Sequence, residues 1–203
     1  GSDTIDGGAG ADIIAFTVET AAADTITGGA GNDVIKSATT TAATAAITKV
    51  TDMSLGTNTT AADELHISLA MVKGLTTTTD MVDTGANTAA NGNGTVTTMT
   101  ADAQTVAAAD LVVLANTYAS DAAALAGIKT AGSDTITYGA TLTADDSFLI
   151  AYTDGTNSYI AVATAGAANL TTSEGVDSVA TIVELTGVSS LATLDSTDYT
   201  TIT

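Results

Sequence analysis

One nine-residue pattern occurs twice near the start of the chain and restricts what the chain can fold into. Gly7-Gly8-Ala9-Gly10-Ala11-Asp12-Ile13-Ile14-Ala15 returns as Gly28-Gly29-Ala30-Gly31-Asn32-Asp33-Val34-Ile35-Lys36. Both fit G-G-x-G-x-D-x-U-x, where U is a large apolar residue. The glycines permit a turn with positive φ, and the x-U-x tail is a short strand whose apolar residue points inward. A shorter copy precedes each: Gly1-Ser2-Asp3-Thr4-Ile5-Asp6 and Ala23-Asp24-Thr25-Ile26-Thr27. Asp3 to Asp12 and Asp24 to Asp33 are both nine residues apart. Two such units make one turn of a parallel β-roll, so alternate units share an edge. Asp12 then stacks on Asp33, and Asp3 on Asp24, each pair 21 residues apart instead of 18. One enlarged turn within residues 16–23 accounts for both offsets.

Composition points to the partner of such turns. The chain of 203 residues has 23 Asp and Glu against four Lys and Arg, a net charge of −19. It lacks the basic residues needed to neutralise phosphates, which excludes nucleic acid as the expected partner, and anionic lipid would repel it. Glycine turns that gather backbone carbonyls beside an aspartate form an all-oxygen environment that suits Ca²⁺. There is no cysteine, so disulfides and thiolate metal sites are excluded. No apolar run approaches the ~20 residues of a membrane span, and no cleavable N-terminal signal is visible. The chain begins inside a repeat, which reads as the C-terminal piece of a longer protein with more roll upstream.

The repeats supply only about two turns, fewer than the ~3 a solenoid generally needs to bury its core, so something must cap them. Residues 46–56 and 63–69 read as two strands joined by a polar loop that closes the roll. Residues 75–100 read as loop and edge strand, with a tight turn at Asn91-Gly92-Asn93-Gly94. Residues 111–115 form a short buried strand. Ser120 is an N-cap for an Ala-rich helix that starts at Asp121 and ends near Gly132. Residues 147–153 and 158–164 flank Asp154-Gly155-Thr156-Asn157, a hairpin signal. Residues 179–185 add a strand, and residues 191–203 a turn and a final strand. The fold class is mainly β: a short parallel β-roll followed by a β-rich C-terminal capping region with one short helix. The divisions are 1–37 for the roll end, 38–74 for the roll-capping strands, and 75–203 for the C-terminal region.

These residues resemble the RTX family, calcium-binding repeat proteins exported by Gram-negative bacteria through type I secretion. The likeness rests on the paired nonapeptides and on the distal end. There Phe148-Leu149-Ile150-Ala151-Tyr152-Thr153-Asp154-Gly155, residues 179–188, Leu191 and Asp198-Tyr199 resemble the hairpin and terminal strands that follow the roll. Residues 47–69 resemble the strand pair that ends such rolls, with Asp52 and Asp63 at the acidic positions and Met53 where an aromatic residue is usual. The resemblance implies that the first and third residues of each glycine loop offer carbonyls and the sixth its carboxylate. Position by position, it implies Ca²⁺ held by Gly7, Ala9 and Asp12 with Gly28, Ala30 and Asp33. It implies a second, weaker site at Asp3 and Asp24, where the loop before Asp24 begins at Glu19 and lacks the glycine run. It further implies an export signal in the C-terminal region, an extracellular location at the bacterial cell surface, and type I secretion machinery as a partner. Gly132-Ser133-Asp134-Thr135-Ile136-Thr137 copies the form of residues 1–6 and reads as an ordinary strand after a glycine turn, with a calcium site as the alternative.

Catalytic readings are weaker. His66 is the only histidine, between Leu65 and Ile67, on the strand face opposite the apolar set. Asp145-Asp146, and Asp102 with Asp110, are acidic pairs expected of so acidic a chain. No phosphate-binding glycine loop is present, because these loops precede strands and carry aspartate where a phosphate would be repelled. Thr-x-Thr strings at residues 25–27, 95–97 and 135–137 are too irregularly spaced for a flat ice-binding face. The chain is therefore read as not an enzyme. Two classes remain. One is a structural surface protein, an S-layer subunit or adhesin, assembling with copies of itself in a lattice or filament. The other is the C-terminal export domain of a secreted protease or lipase whose catalytic module lies upstream.

Overall fold

The computed structural model describes residues 1–17, 22–37, 46–56, 62–68, 96–106, 109, 111–130, 133–142, 144, 146–166, 170–195 and 197–202. Its first six strands alternate between two sheets. On one side β1 (Thr4–Asp6), β3 (Thr25–Thr27) and β5 (Thr48–Val50) stack in parallel. On the other β2 (Ile13–Phe16), β4 (Val34–Ser37) and β6 (Glu64–Ser68) do the same. The register sets Ile5, Ile26 and Val50 in one inward row and Ile14, Ile35 and Leu65 in another. Ile26, Ile35 and Leu65 are at most 1% exposed, while Ile13, one residue before the inward position, is 77% exposed. The period of two along each short strand produces this contrast.

A second winding begins at the opposite edge of the same sheet. β7 (Val96–Thr98), β9 (Leu111–Thr117) and β11 (Ser147–Thr153) stack in parallel, and between them β8 (Ala103–Val106) and β10 (Thr135–Leu142) pair in parallel in another sheet. Helix α1 (Asp121–Lys129) lies between β9 and β10. Its N-cap Ser120 accepts the Ala123 N–H, and Asp121 docks it on the sheet by accepting from Tyr152 OH at 2.7 Å and Thr181 N at 3.0 Å. The Asp154 carboxylate accepts Thr156 N and Asn157 N, both at 2.7 Å, and so closes the hairpin from β11 into β12 (Ser158–Ala165). β13 (Leu170–Thr172) and a 3-10 turn (Ser173–Gly175) lead into β14 (Val176–Leu185) and finally β15 (Tyr199–Ile202).

The last two strands complete the first roll. β14 runs parallel to β5 and β15 parallel to β6, so the roll has four layers where the repeats alone supply two. Residues 46–56 and 62–68 are its third layer, an additional turn that continues the parallel stacking. β14 also pairs antiparallel with β12, which joins the two windings into one sheet ordered β1-β3-β5-β14-β12-β11-β9-β7. Following the pairings along it, β12 alone runs against the rest. Over most of β9, β11 and β12 the central sheet buries both faces. Leu111, Val113, Leu149 and Val162 join the core with the β2-β4-β6-β15 sheet, while Val112, Leu114, Phe148 and Ile150 join the core with α1, β8 and β10.

The hairpin, the N-cap, the helix and the terminal strands lie where the sequence predicts them, and the fold is mainly β with parallel sheets of a β-roll. The helix ends at Lys129, with Thr130 as its C-cap. The strand expected over residues 95–99 is Val96–Thr98. The Asn91–Gly94 turn, the Glu19 loop, Gly132, Asp110 and Asp145 lie outside the described residues.

Candidate metal centre

Each nonapeptide folds into a turn between the two sheets of the first roll. Gly8 and Gly10 have φ of +91° and +126°, and Gly29 and Gly31 of +101° and +150°. This is the region only glycine adopts without strain. The turns stack directly: Gly7 N donates to Thr27 O at 3.0 Å, Gly10 N to Ala30 O at 2.7 Å and Ala30 N to Gly8 O at 2.7 Å, and Ala9 bridges Ala30 in parallel. The pairing of Ile13 with Val34 brings Asp12 level with Asp33, and that of Thr4 with Thr25 brings Asp3 level with Asp24.

A ladder of hydrogen bonds connects these aspartates. Asp33 Oδ1 accepts Asp12 N at 2.9 Å, Asp24 Oδ1 accepts Asp3 N at 2.9 Å, and Asp63 Oδ1 accepts Asp33 N at 2.9 Å. Each turn's carboxylate thus receives the N–H of the turn before. On the glycine edge this uses one oxygen of Asp33 and leaves the other. Asp12 Oδ2 and Asp33 Oδ2 are buried carboxylate oxygens with no hydrogen-bond partner among the described residues. Both face the first glycine of their own turn. A Cβ on Gly7 would lie 2.9 Å from Asp12 Oδ2 and 2.5 Å from the Gly28 carbonyl oxygen, and one on Gly28 would lie 2.5 Å from Asp33 Oδ2. Buried, unpartnered carboxylate oxygens are strongly unfavourable unless a cation compensates them.

This donor set fits Ca²⁺. It combines two carboxylates one turn apart with glycine-turn carbonyls, all hard oxygen ligands. Gly7, Ala9, Asp12, Gly28, Ala30 and Asp33 lie together on one edge, and the Ala30 carbonyl is also engaged by Gly10 N. Among the described residues no three His, Asp or Glu side chains gather as a metal-holding group, so an ion at this centre would need main-chain oxygens for most of its ligands. At the opposite edge Asp24 is buried and Asp3 exposed, and part of the loop leading to Asp24 lies outside the described residues.

Other acidic residues are tied up by the fold. Asp52 accepts Gly28 N at 2.9 Å and Gly29 N at 2.8 Å, and Asp63 Oδ2 accepts Ser54 N at 2.8 Å. Asp198 accepts Gly56 N at 2.7 Å, and burial, followed by the charges of Asp195 and Asp63, pushes its carboxyl above the usual range. Asp134 stands level with Asp102 in the second winding, as Asp3 stands over Asp24. Its carboxylate is fully engaged by Ala115 N at 3.0 Å, Asn116 N at 2.9 Å and Tyr118 OH at 2.6 Å. Residues 133–137 therefore lead into an ordinary strand, β10. Tyr118 responds to its place beside that carboxylate: burial first, then the bond to Asp134, raises its hydroxyl to about 12. His66 pairs with Glu64 at 2.8 Å on the outer face of β6. The partners of Asp198 and Asp134 are not readable from sequence, though the likeness of residues 132–137 to residues 1–6 marked the second of them.

No curated protein and no solved structure matches the chain. The family model for the RTX calcium-binding nonapeptide repeat (4 copies) matches residues 1–16 and 20–37. The match falls on the two glycine turns and the strands around them, which are similar to RTX calcium-binding repeats.

Proposed function

We propose that this chain is a calcium-dependent structural surface protein, an S-layer subunit or adhesin in its C-terminal part, that completes its folding when it meets external calcium after export. The observation that carries the reading is the pair of buried, unpartnered oxygens of Asp12 and Asp33 facing two stacked glycine turns. Without an ion their like charges repel on a chain that is already strongly acidic. When Ca²⁺ is bound it supplies the compensating charge and stabilises only the folded state. With a dissociation constant on the order of 10⁻⁴ M, a site at 100-fold excess adds ~2.7 kcal/mol, and at sub-micromolar calcium almost nothing. Such an increment is large beside a net stability of ~5–15 kcal/mol.

Type I export follows from the same logic. The segment after residue 171 carries Glu174, Asp177, Glu184, Asp195 and Asp198 and no Lys or Arg, and its strands are core elements of the folded roll. A signal there is accessible in the unfolded chain and enclosed after folding. The same tail supports a second reading, an export domain for an enzyme upstream. The Thr/Ala-rich composition with few aromatics supports the structural reading. Electron microscopy of the purified chain in millimolar calcium and in EGTA tests it. Calcium-dependent sheets or filaments are expected, and a protein that stays monomeric in both overturns the structural reading in favour of the export domain.

A further inference from the structure

We infer that Asp52 is the positioning residue of the metal centre: its carboxylate holds the second glycine turn in its ion-ready shape before any ion arrives, and ends the column of ion loops at that turn. The inference rests on the calcium reading above. Ile26 pairs with Val50 and Thr27 bonds Thr51 at 2.9 Å, so Asp52 stands level with Gly28, where a further repeat would place glycine. One of its oxygens accepts Gly28 N at 2.9 Å and the other Gly29 N at 2.8 Å. Successive backbone N–H groups at a turn form a concave anion seat, and a carboxylate in it makes charge-assisted bonds. These bonds fasten the entrance of a turn whose Gly29 and Gly31 take the unusual φ values of +101° and +150°.

The first turn is held differently. Gly8 N reaches only the Asp6 carboxylate of its own strand, at 3.0 Å, and Gly7 N a backbone carbonyl. Nor, among the described residues, does the third turn offer an ion what the first two do. Both oxygens of Asp63 accept backbone N–H groups, from Asp33 and Ser54, whereas Asp12 and Asp33 each keep a buried oxygen unpartnered. Between turns one and two the compensating charge is a cation; between turns two and three it is replaced by amide hydrogens on Asp52 and Asp63. The second turn is thus a preformed half-site, and ion binding orders mainly the first.

Amide exchange by NMR in EGTA, with calorimetric calcium titration, tests this on the wild type, Asp52→Ala and Asp52→Asn. In the wild type the Gly28 and Gly29 amides are expected to be protected without calcium. Asp52→Ala should speed their exchange and weaken calcium binding, each by about tenfold. Asp52→Asn keeps one acceptor, and an intermediate result is expected; it also serves if the alanine variant does not fold. Unchanged protection in Asp52→Ala overturns the inference. So do equal affinity losses in both variants with both amides still protected, which would make Asp52 a distant charge only. A wild type that binds no calcium would defeat the reading of the centre, while the exchange comparison would still decide whether Asp52 clamps the turn.

Discussion

Replacing Asp33 by Asn separates the ion from everything else the side chain does. The variant keeps an Oδ1 that accepts Asp12 N, the 2.9 Å bond of the ladder, and loses the charge and the buried Oδ2 carboxylate oxygen. Neighbouring strands lie ~4.8 Å apart, and two unit charges at that spacing repel by about 1 kcal/mol in water and about 3 kcal/mol at an effective dielectric of ~20. Relief of this repulsion is partly offset by weakening a charge-assisted hydrogen bond. In EGTA Asp33→Asn is therefore expected to be the more stable protein, by about 1 kcal/mol. Calcium reverses the order. At 100 times the dissociation constant the wild type gains ~2.7 kcal/mol, whereas a site weakened about 100-fold gains only ~0.4 kcal/mol. The assay is urea unfolding followed by circular dichroism in the two media, and the quantity that matters is each protein's gain from calcium. For a chain of this size the wild-type gain corresponds to a rise in Tm of roughly 5–11 °C. If Asp33→Asn gains as much from calcium as the wild type, the two carboxylates do not face a common ion and the reasoning fails.

Two further outcomes concern residues away from the ion. Tyr118→Phe removes one of three donors to the buried Asp134 carboxylate and is expected to destabilise the chain by ~1.5–3 kcal/mol, equally in calcium and EGTA; a loss confined to calcium would contradict the role given to the second winding. Because Tyr118 is raised to about 12, its contribution is complete below pH 10 and lost as pH rises through 12. Asp198 has a raised carboxyl, so the stability it contributes is present below the ordinary carboxylate pKa and lost as pH rises through its own folded value. Asp198→Asn should therefore gain on the wild type with rising pH in paired unfolding curves, and a difference that shrinks with rising pH would refute the assignment.

The repeats made half of the first roll legible. In Gly7-Gly8-Ala9-Gly10 and Gly28-Gly29-Ala30-Gly31 the turn is specified by backbone freedom, a property of the residues themselves, and nine-residue spacing fixes which aspartates stack. Local chemistry likewise determined the Ser120 cap and the Asp154 hairpin, whose bonds span three residues or fewer. Beyond the second turn the stacking continues without a period: Ile26 pairs with Val50 and Ile35 with Leu65, offsets of 24 and 30 residues in place of 21. With glycines gone, the likeness to a roll-ending strand pair marks Asp52 as an acidic position, and only the structure gives it Gly28 and Gly29 as partners.

The sequence by itself determined the glycine turns and the inward isoleucines and pointed to Ca²⁺, because each follows from residues within one or two repeats. The tertiary structure decided what completes them. Gly56 N meets Asp198 across 142 residues, and β14 and β15 become the fourth layer of a roll begun at the other end of the chain. Parallel strands cannot be joined by a tight turn, so the layer that covers β5 and β6 can come from any distance along the chain. Which segment does so is settled only when the apolar edges of Val50, Leu65 and Ile67 are buried by Leu185 and Tyr199.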